Sequence, residues 1–287
     1  MSELVRALAV LAEPPGSEQV RLGRLLGLDG SPDPAEYTEV FALQLYPYAS
    51  VYLGAEGMLG GDARDRVAGF WRALHRAPPA EPDHLTALLG LYAALGEHEH
   101  GEPDPARRLM VRLSREALLW EHLASWLFPY LDKLRDIAPP FYRSWGALLA
   151  ETVTTEIGGA GPPGALPLHL RLAPPLPDPR ADGAEAFTSG LLSPARSGMV
   201  LTRADLARAA RGLGLGLRMG ERRFILAALL SQDPGGTLEW LAGEARAWVA
   251  RNEAHHTVTG HVAGFWAARA AATAVLLDAV RPAAAPP

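Results

Sequence analysis

The sequence predicts an all-α protein, a helical bundle with an additional helical extension at its carboxyl-terminal end. Apolar residues recur at helical spacing in most segments, and prolines separate these segments from one another. No part of residues 1–155 shows the sustained alternation of apolar and polar residues that is typical of strands. The chain has 287 residues, of which 48% are hydrophobic and 21% charged, so it can form one sizeable core or two smaller ones.

The amino-terminal part is predicted to form a series of helices bounded by prolines. The pair Pro14-Pro15 splits residues 2–27 into two short helices, and a third helix begins at Ala35. Asp62 opens a fourth helix. Asp83 is expected to cap the fifth, whose apolar face is formed by Leu85, Leu88, Leu89, Tyr92 and Leu95.

A long central helix is predicted next. Asp104-Pro105 is a favoured start, because it places a capping side chain before a proline at the first helical position. An apolar stripe then continues over about five turns, and it is formed by Leu109, Leu113, Ala117, Trp120, Ala124 and Leu127. Another helix covers about residues 141–154. We expect Trp120, Trp126 and Trp145 to be core residues.

Residues 158–183 differ in character, since nearly half of them are proline or glycine and they show no helical period. This composition indicates a linker or an extended surface arm. We therefore divide the chain into a helical body at 1–157, the linker or arm at 158–183 and a helical extension at 184–287. The extension is predicted to contain four helices, the first capped by Thr202, and to end in a frayed tail, RPAAAPP.

Several features of the sequence indicate the cellular compartment of the protein. The sequence has no cysteine, which excludes disulfides, thiolate catalysis and cysteine-ligated metal sites. The amino-terminal apolar run is interrupted by Glu3 and follows no cationic segment, so we expect a helix and not a signal peptide. No apolar run reaches the roughly 18 to 20 residues that a membrane helix needs. These features favour the cytoplasm, without stable membrane insertion.

Charge is distributed unevenly along the chain. Residues 1–155 carry a net charge of −7, whereas residues 156–287 carry +2. The acidic first part is expected to repel nucleic acid and to tolerate a basic partner.

An aromatic cluster and a Pro-Asp-His turn are the most distinctive local features. Tyr46, Tyr48 and Tyr52 precede a glycine turn, Trp71 lies on the following helix, and Pro82-Asp83-His84 opens the next one. An aspartate in this place is usually only a helix cap, because its carboxylate accepts an otherwise unpaired backbone N–H. The order of the surrounding segments adds a functional interpretation.

That order resembles the TorD/DmsD/NarJ family of redox-enzyme maturation chaperones. The similarity extends over about residues 37–152, and the chain continues beyond the usual end of such proteins. It rests on three segments, YTEVFALQLYPYASVYL, PDHLTALLGLYAAL and HLASWLFPYLDKLRDIAPPFYRSWGALL. The resemblance implies a helical bundle of the TorD-like type.

The resemblance also implies a function. The protein would be a cytoplasmic chaperone, not an enzyme, that binds the apo form of a molybdopterin-containing oxidoreductase and its twin-arginine leader before export. Such a leader has two arginines and an apolar run, so its receptor needs a carboxylate beside aromatic and aliphatic groups. Asp83 would offer the carboxylate, and the implied peptide-binding residues are Tyr46, Tyr48, Tyr52, Trp71, Pro82, Asp83 and His84.

The same resemblance implies no catalytic residue, no metal ligand and no bound cofactor. A homodimer formed by exchange of helical segments is a further implication for the oligomeric state.

The extension contains an arginine-rich segment that the resemblance does not explain. Its arginines could dock onto the acidic first part, or Arg222-Arg223 with the apolar residues after them could imitate a leader. A third interpretation is a site for the phosphate of a cofactor, because arginine forks suit phosphate. The arginines are Arg196, Arg203, Arg208, Arg211, Arg218, Arg222 and Arg223.

The alternative function is a helix-turn-helix regulator that binds DNA, since LTRADLARAARGLGLGLRMGERRFILAALL could form a basic helix pair. The net charge of −5 and the glycine-rich turn argue against it. No P-loop or nucleophile motif supports a hydrolase or transferase. The histidines at 98 and 100 lack a convincing metal-ligand spacing.

Overall fold

The computed structural model describes residues 1–281, and this range contains helices and no strand. The all-α prediction is therefore confirmed, while most of the tail predicted to fray lies outside the described residues. Two π-helical segments interrupt the α-helices. In chain order the helices are α1 Ser2–Val10, α2 Ser17–Leu25, α3 Pro34–Tyr37, π1 Thr38–Gln44, α4 Ala49–Leu53, α5 Gly61–Ala73, α6 Leu85–Gly101, α7 Pro105–Ala117, π2 Leu118–Ala124, α8 Leu127–Ile137, α9 Pro140–Ala160, α10 Leu168–Leu172, α11 Pro179–Asp182, α12 Ala184–Leu191, α13 Pro194–Ser197, α14 Arg203–Leu213, α15 Arg222–Gln232, α16 Pro234–Ala254, α17 His256–Thr259 and α18 His261–Val280.

The chain forms two compact units. The first contains Met1–Ser50 and Leu59–Arg171, and the second contains Val51–Met58 and the chain from Leu172 onwards. The boundary after Arg171 falls inside the predicted arm at 158–183, which contains the short helices α10 and α11. Nothing in the sequence pattern assigned residues 51–58 to the second unit.

Buried aromatic side chains form the core of the first unit. Trp126 and Trp145 are fully buried and Trp120 is 6% exposed, so the expectation that all three are core residues is confirmed. The indole N–H of Trp145 donates to the carbonyl oxygen of Leu8 at 3.1 Å, which joins α9 to α1. Phe41 contacts the edge of the Trp145 ring at a centroid distance of 5.9 Å. The hydrogen bond and the ring contact thus place α1, π1 and α9 around one core.

The predicted long central helix is wrong in one respect. The stripe is divided between two elements, since α7 ends at Ala117 and the π-helical segment π2 follows, and only its second part faces a core. Every apolar residue of π2 is buried, whereas α7 contains no buried residue at all. Leu109, Met110 and Leu113 are 44%, 64% and 49% exposed. We call these three residues the α7 apolar face.

Buried charge explains the orientation of α7. Its Arg115 pairs with Glu99 of α6 at 2.9 Å and with Glu156 of α9, and Glu156 also accepts a hydrogen bond from the Tyr92 hydroxyl at 2.6 Å. A partly buried guanidinium is costly unless carboxylates surround it, so this side of the helix must face α6 and α9. Leu113 and Met110 lie on the other side of the helix and therefore face solvent.

Two buried histidines meet between π2 and α10. The rings of His122 and His169 are 5.9 Å apart, and Phe70 contacts His122 at 5.1 Å. His122 Nδ1 and His169 Nε2 are buried without a hydrogen-bond partner. Burial, with the neighbouring His169, lowers the pKa of His122 to about 3, and burial with the nearby charge of Arg66 lowers the pKa of His169 to about 4. Both rings are therefore neutral at pH 7.

The second unit has α16 and α18 at its centre. Trp248 and Trp266 are fully or almost fully buried, with exposed fractions of 0% and 1%. The expectation that no segment is long and apolar enough to cross a membrane is wrong for α18, because its many alanines and few charges meet both criteria. Its buried residues pack inside this unit, and it carries Arg269 near its middle.

The orientation of α7 predicts opposite effects for two neighbouring side chains. Arg115→Leu should lower the free energy of unfolding by about 1–3 kcal/mol, because it leaves two carboxylates without their cation. Leu113→Gln should change it by less than about 0.5 kcal/mol, since the side chain is exposed. Urea denaturation followed by circular dichroism measures both. The orientation would be wrong if Leu113→Gln proved the more harmful change.

The buried histidines predict loss of stability in acid. The unfolded chain takes up protons near the ordinary pKa of 6.5, whereas the folded pKa values lie near 3 and 4. Stability from the neutral rings is thus complete above pH 6.5 and is lost as the pH falls towards 4. In urea denaturation between pH 7.5 and 5, the double variant His122→Leu/His169→Leu should depend less on pH than the wild type. His100→Leu, at an exposed position, is the control and should keep the wild-type slope. Parallel curves for the double variant and the wild type would contradict the assignment.

Candidate functional site

The structure places the residues of the predicted peptide-binding site in different settings. Tyr46, Tyr48 and His84 are partly exposed, whereas Pro82 and Asp83 are buried. These five belong to the first unit, as does Trp71. Tyr52 belongs to the second unit and is 1% exposed, so its ring cannot form a groove wall without a rearrangement.

Backbone hydrogen bonds join the YPYAS segment to the Pro-Asp-His turn. The N–H of Ala49 donates to the carbonyl oxygen of Asp83 at 3.0 Å, and the N–H of Leu85 donates to that of Pro47 at 2.8 Å. The pair forms an isolated antiparallel bridge between Tyr48 and His84. Two segments that are distant in sequence are therefore held in a fixed register.

The carboxylate of Asp83 lies inside this bridge. It is 1% exposed, and its Oδ2 accepts the backbone N–H of Ser50 at 3.1 Å, near the start of α4. The prediction that Asp83 caps its own helix is wrong, because α6 begins one residue later and His84 is its N-cap. The Nδ1 atom of His84 accepts the N–H of Thr86 at 3.2 Å. Asp83 thus stabilises the start of another helix, and it does not present its carboxylate at the surface.

The tyrosine and histidine of the bridge form an aromatic pair at the surface. The rings of Tyr48 and His84 contact edge to face with their centroids 4.7 Å apart. Burial lowers the pKa of His84, and the nearby carboxylates of Glu81 and Asp83 oppose this shift. Because Nδ1 accepts a hydrogen bond, the neutral ring carries its proton on Nε2.

An exposed carboxylate, which the sequence analysis did not select, completes this surface. Glu81 is exposed, and its carboxylate lies close enough to Tyr48 to act on the ionisation of that side chain. Burial and this carboxylate raise the pKa of Tyr48. Burial and the nearby Glu13 and Glu81 also raise the pKa of the partly exposed Tyr37. We call Tyr37, Tyr48, Glu81 and His84 the tyrosine–glutamate surface. The signal for Glu81 was its place directly before the Pro-Asp-His motif.

Trp71 is less closely connected with this surface. Trp71 lies on α5, half-buried, and its indole nitrogen is buried without a hydrogen-bond partner. No ring contact joins Trp71 to another aromatic residue within residues 1–281. The structure therefore brings Tyr48, Asp83 and His84 together and leaves Trp71 outside the cluster.

Within the described range, no group of three or more histidine, aspartate or glutamate side chains is arranged to hold a metal ion. The tyrosine–glutamate surface contains an exposed carboxylate and aromatic rings, but it has no nucleophile paired with a base. Its chemistry is suited to recognition of a cationic group by charge, by hydrogen bonds and by aromatic faces.

Comparison with known proteins adds one finding. A model of the family described as nitrate reductase delta subunit matches residues 34–131. This range contains π1, the Tyr48–His84 bridge, the α7 apolar face and π2. No curated protein matches the chain.

The two neighbouring carboxylates predict separable effects on stability. Asp83→Ala should lower the free energy of unfolding by about 1–3 kcal/mol, because the buried N–H of Ser50 loses its acceptor. Asp83→Asn keeps an acceptor oxygen and should cost less. Glu81→Gln should stay within about 0.5 kcal/mol of the wild type, since Glu81 is exposed. Urea denaturation measures all three, and equal effects of Asp83→Ala and Glu81→Gln would refute the two roles.

Proposed function

The chain belongs to the NarJ/TorD-type family of chaperones for molybdoenzyme maturation, and we propose that it binds the twin-arginine leader of its client through the tyrosine–glutamate surface. The client is the apo form of a molybdopterin-containing oxidoreductase subunit. Binding keeps this subunit from export until its cofactor has been inserted. The protein itself contributes recognition and makes or breaks no bond.

The observation that carries the proposal is the exposed carboxylate of Glu81 close to the partly exposed rings of Tyr37 and Tyr48. A guanidinium group prefers a carboxylate acceptor, and it also stacks on aromatic faces. Glu81 acts on the ionisation of both Tyr37 and Tyr48, and the His84 ring contacts the Tyr48 ring edge to face. Glu13, close enough to act on Tyr37, supplies a second carboxylate for the second arginine of the leader.

The residues predicted from the sequence take different roles in this proposal. Tyr48 and His84 contact the leader, and Tyr46 and Trp71 extend the contact towards its apolar run. Asp83 and Pro82 act as positioning residues, because their burial holds the bridge in place. Tyr52, buried in the second unit, has no direct contact with the peptide.

The structure favours the chaperone over the helix-turn-helix alternative. Residues 214–221 separate α14 from α15, whereas a DNA-binding helix pair is joined by about three or four residues. Two of its arginines also have partners within the chain: Arg208 pairs with Asp205 and Glu244, and Arg203 donates to the carbonyl oxygen of Gly220. A phosphate would have to compete with these contacts.

The proposal includes a cytoplasmic location, where an apo enzyme awaits its cofactor before export. It also includes a homodimer formed by exchange of helical segments. Light scattering measures that part independently: a mass of twice 30.7 kDa supports the dimer, and a single mass of 30.7 kDa removes it without affecting leader binding.

Calorimetric titration with a synthetic twin-arginine leader tests the proposed surface. Glu81→Gln should weaken binding about tenfold, which corresponds to about 1.4 kcal/mol, because one charge-assisted hydrogen bond is lost. Tyr48→Ala should also weaken it, since the aromatic face near Glu81 disappears. A leader with both arginines changed to lysine should bind more weakly to the wild type, because lysine lacks the planar fork.

The control is Glu151→Gln, which removes an exposed carboxylate of α9 and should leave leader binding unchanged. Equal affinities of the wild type, Glu81→Gln and Tyr48→Ala for the leader would refute the surface. If no leader binds at all, the recognition of the client must be sought on its mature part.

A further inference from the structure

Two arginines of the second unit lie close together without any carboxylate partner. Arg196 belongs to the SPARSG segment around α13, and Arg269 lies on α18. Neither forms an ion pair within 4.0 Å with any residue of the described chain, and both are partly exposed. Other arginines of this unit, such as Arg208 and Arg246, do pair with carboxylates.

Backbone carbonyl groups hold both guanidinium groups. Arg196 Nε donates to the carbonyl oxygen of Ala55 at 2.7 Å, and Arg269 Nη2 donates to that of Ala173 at 2.5 Å. Arg269 also lies over the ring of Phe265, 5.1 Å from its centroid. A guanidinium has five N–H donors, so most donors of each group remain for a ligand. The carbonyl groups fix the side chains and leave their positive charge uncompensated.

The fold forces the SPARSG turn against α18. Gly198 has a φ of +73°, and a Cβ atom there would lie 2.8 Å from the carbonyl carbon of Arg269, so only glycine fits this close approach. The hydroxyl of Thr273 donates to the carbonyl oxygen of Ser197 at 2.8 Å and fixes the turn from the other side. Arg196, two residues before Gly198, is thereby brought beside Arg269.

A third segment converges on the same place. The Ser193 hydroxyl donates to the carbonyl oxygen of Gly54 at 3.2 Å, and a Cβ atom at Gly57 would lie 2.8 Å from Ser193 Cα. Residues 51–58 are thus packed directly on the turn that carries Arg196. This explains why the short segment belongs to the second unit, and it shows that the arginine pair rests on three tightly packed pieces of chain.

The pair is electrostatically unfavourable as it stands. Burial and the neighbouring positive charge of Arg196 lower the pKa of Arg269. Two like charges that are held close together by the fold, with no counter-charge, lower the stability of the folded state. An anion that bridges them would remove this repulsion, so the site favours a ligand with more than one negative charge.

We infer that Arg196 and Arg269 form a binding site for a phosphate group. A phosphate presents several acceptor oxygens and up to two charges, which matches two guanidinium forks better than a single carboxylate does. The phosphate could be inorganic, or it could belong to an ester such as a nucleotide. The two sources share this chemistry at the arginine pair, and they differ in the contacts made by the rest of the molecule.

Within the arginine-rich segment, Arg196 is the residue that belongs to this site. Arg203 donates to the carbonyl oxygen of Gly220, Arg208 pairs with carboxylates, and Arg222 donates to the carbonyl oxygen of Leu201 at 2.7 Å. These contacts are local supports of α14 and α15. Arg196 differs from them because its unpaired charge lies beside a second unpaired arginine that comes from the far end of the chain.

Thermal unfolding and calorimetric titration of the full chain test the site. The probes are sodium phosphate and GTP without added metal, each compared with sodium chloride and sodium acetate at equal ionic strength. Phosphate should raise the Tm of the wild type more than chloride or acetate does. Arg269→Gln should lower the affinity for phosphate at least tenfold. Arg211→Gln removes an exposed arginine of α14 and should behave as the wild type.

Two variants of Arg269 and the two phosphate-containing probes provide further comparisons. Phosphate should raise the Tm of Arg269→Gln no more than chloride does, because the second guanidinium group of the pair is lost. Arg269→Lys keeps the charge without the fork and should bind phosphate more weakly than the wild type. Equal affinity for phosphate and GTP would identify the phosphate group alone as the ligand, and a clear preference for GTP would identify an ester. If phosphate and chloride act alike, or if Arg269→Gln binds phosphate as tightly as the wild type, the inference is wrong.

Discussion

The hydrogen bond between the buried carboxylate of Asp83 and the backbone N–H of Ser50 is the contact on which the recognition surface depends. It connects the start of α4 with the turn before α6, and the backbone bridge beside it sets the register of Tyr48 and His84. Without this link and the bridge beside it, the aromatic pair and Glu81 would belong to two independent loops. A buried carboxylate is retained here because its hydrogen bond fixes two exposed side chains and a neighbouring carboxylate.

Charge decides the orientation of other elements in a similar way. Arg115 turns the polar side of α7 towards Glu99 and Glu156, and so leaves an apolar face in contact with solvent. In the second unit, Arg196 and Arg269 are fixed by carbonyl groups while their charge stays unpaired. In both cases the contacts of a charged side chain fix its position and leave another property of the surface unsatisfied. For α7 this is the exposed apolar face, and for Arg196 and Arg269 it is the uncompensated charge. These are the places where the protein could bind a further partner or ligand.

Much of the fold could be predicted because local signals determine it. Asp104 and Thr202 cap α7 and α14 as expected, and Trp120 and Trp145 are buried, as their places in the predicted helices indicated. The side of α7 that faces inward was not predictable, because a periodic stripe shows that a helix is amphipathic and does not show what its polar side meets. The ion pairs of Arg115 are long-range contacts, and no pattern near residue 115 announces them.

The sequence identified the segments that form the candidate site, but not which of their side chains are exposed. The order of YPYAS and Pro-Asp-His led to the correct segments, but Asp83 proved buried and Glu81 exposed, since the helix begins one residue later than expected. Arg196 lies near Arg269 because Gly198 packs closely against α18. This long-range packing is not apparent from the sequence. Local features such as caps and turns can therefore be predicted from the sequence, whereas contacts between residues distant along the chain are known only from the structure.

Hydrogen–deuterium exchange with and without a twin-arginine leader tests the central claim most directly, because it maps the contact without altering any residue. We predict that the leader slows the exchange of backbone amide hydrogens in residues 37–48 and 81–86. The amide hydrogens around Arg196 and Arg269 in the second unit should exchange at the same rate with and without the leader. Protection confined to residues 172–281, or no protection near the bridge between Tyr48 and His84, would contradict the account.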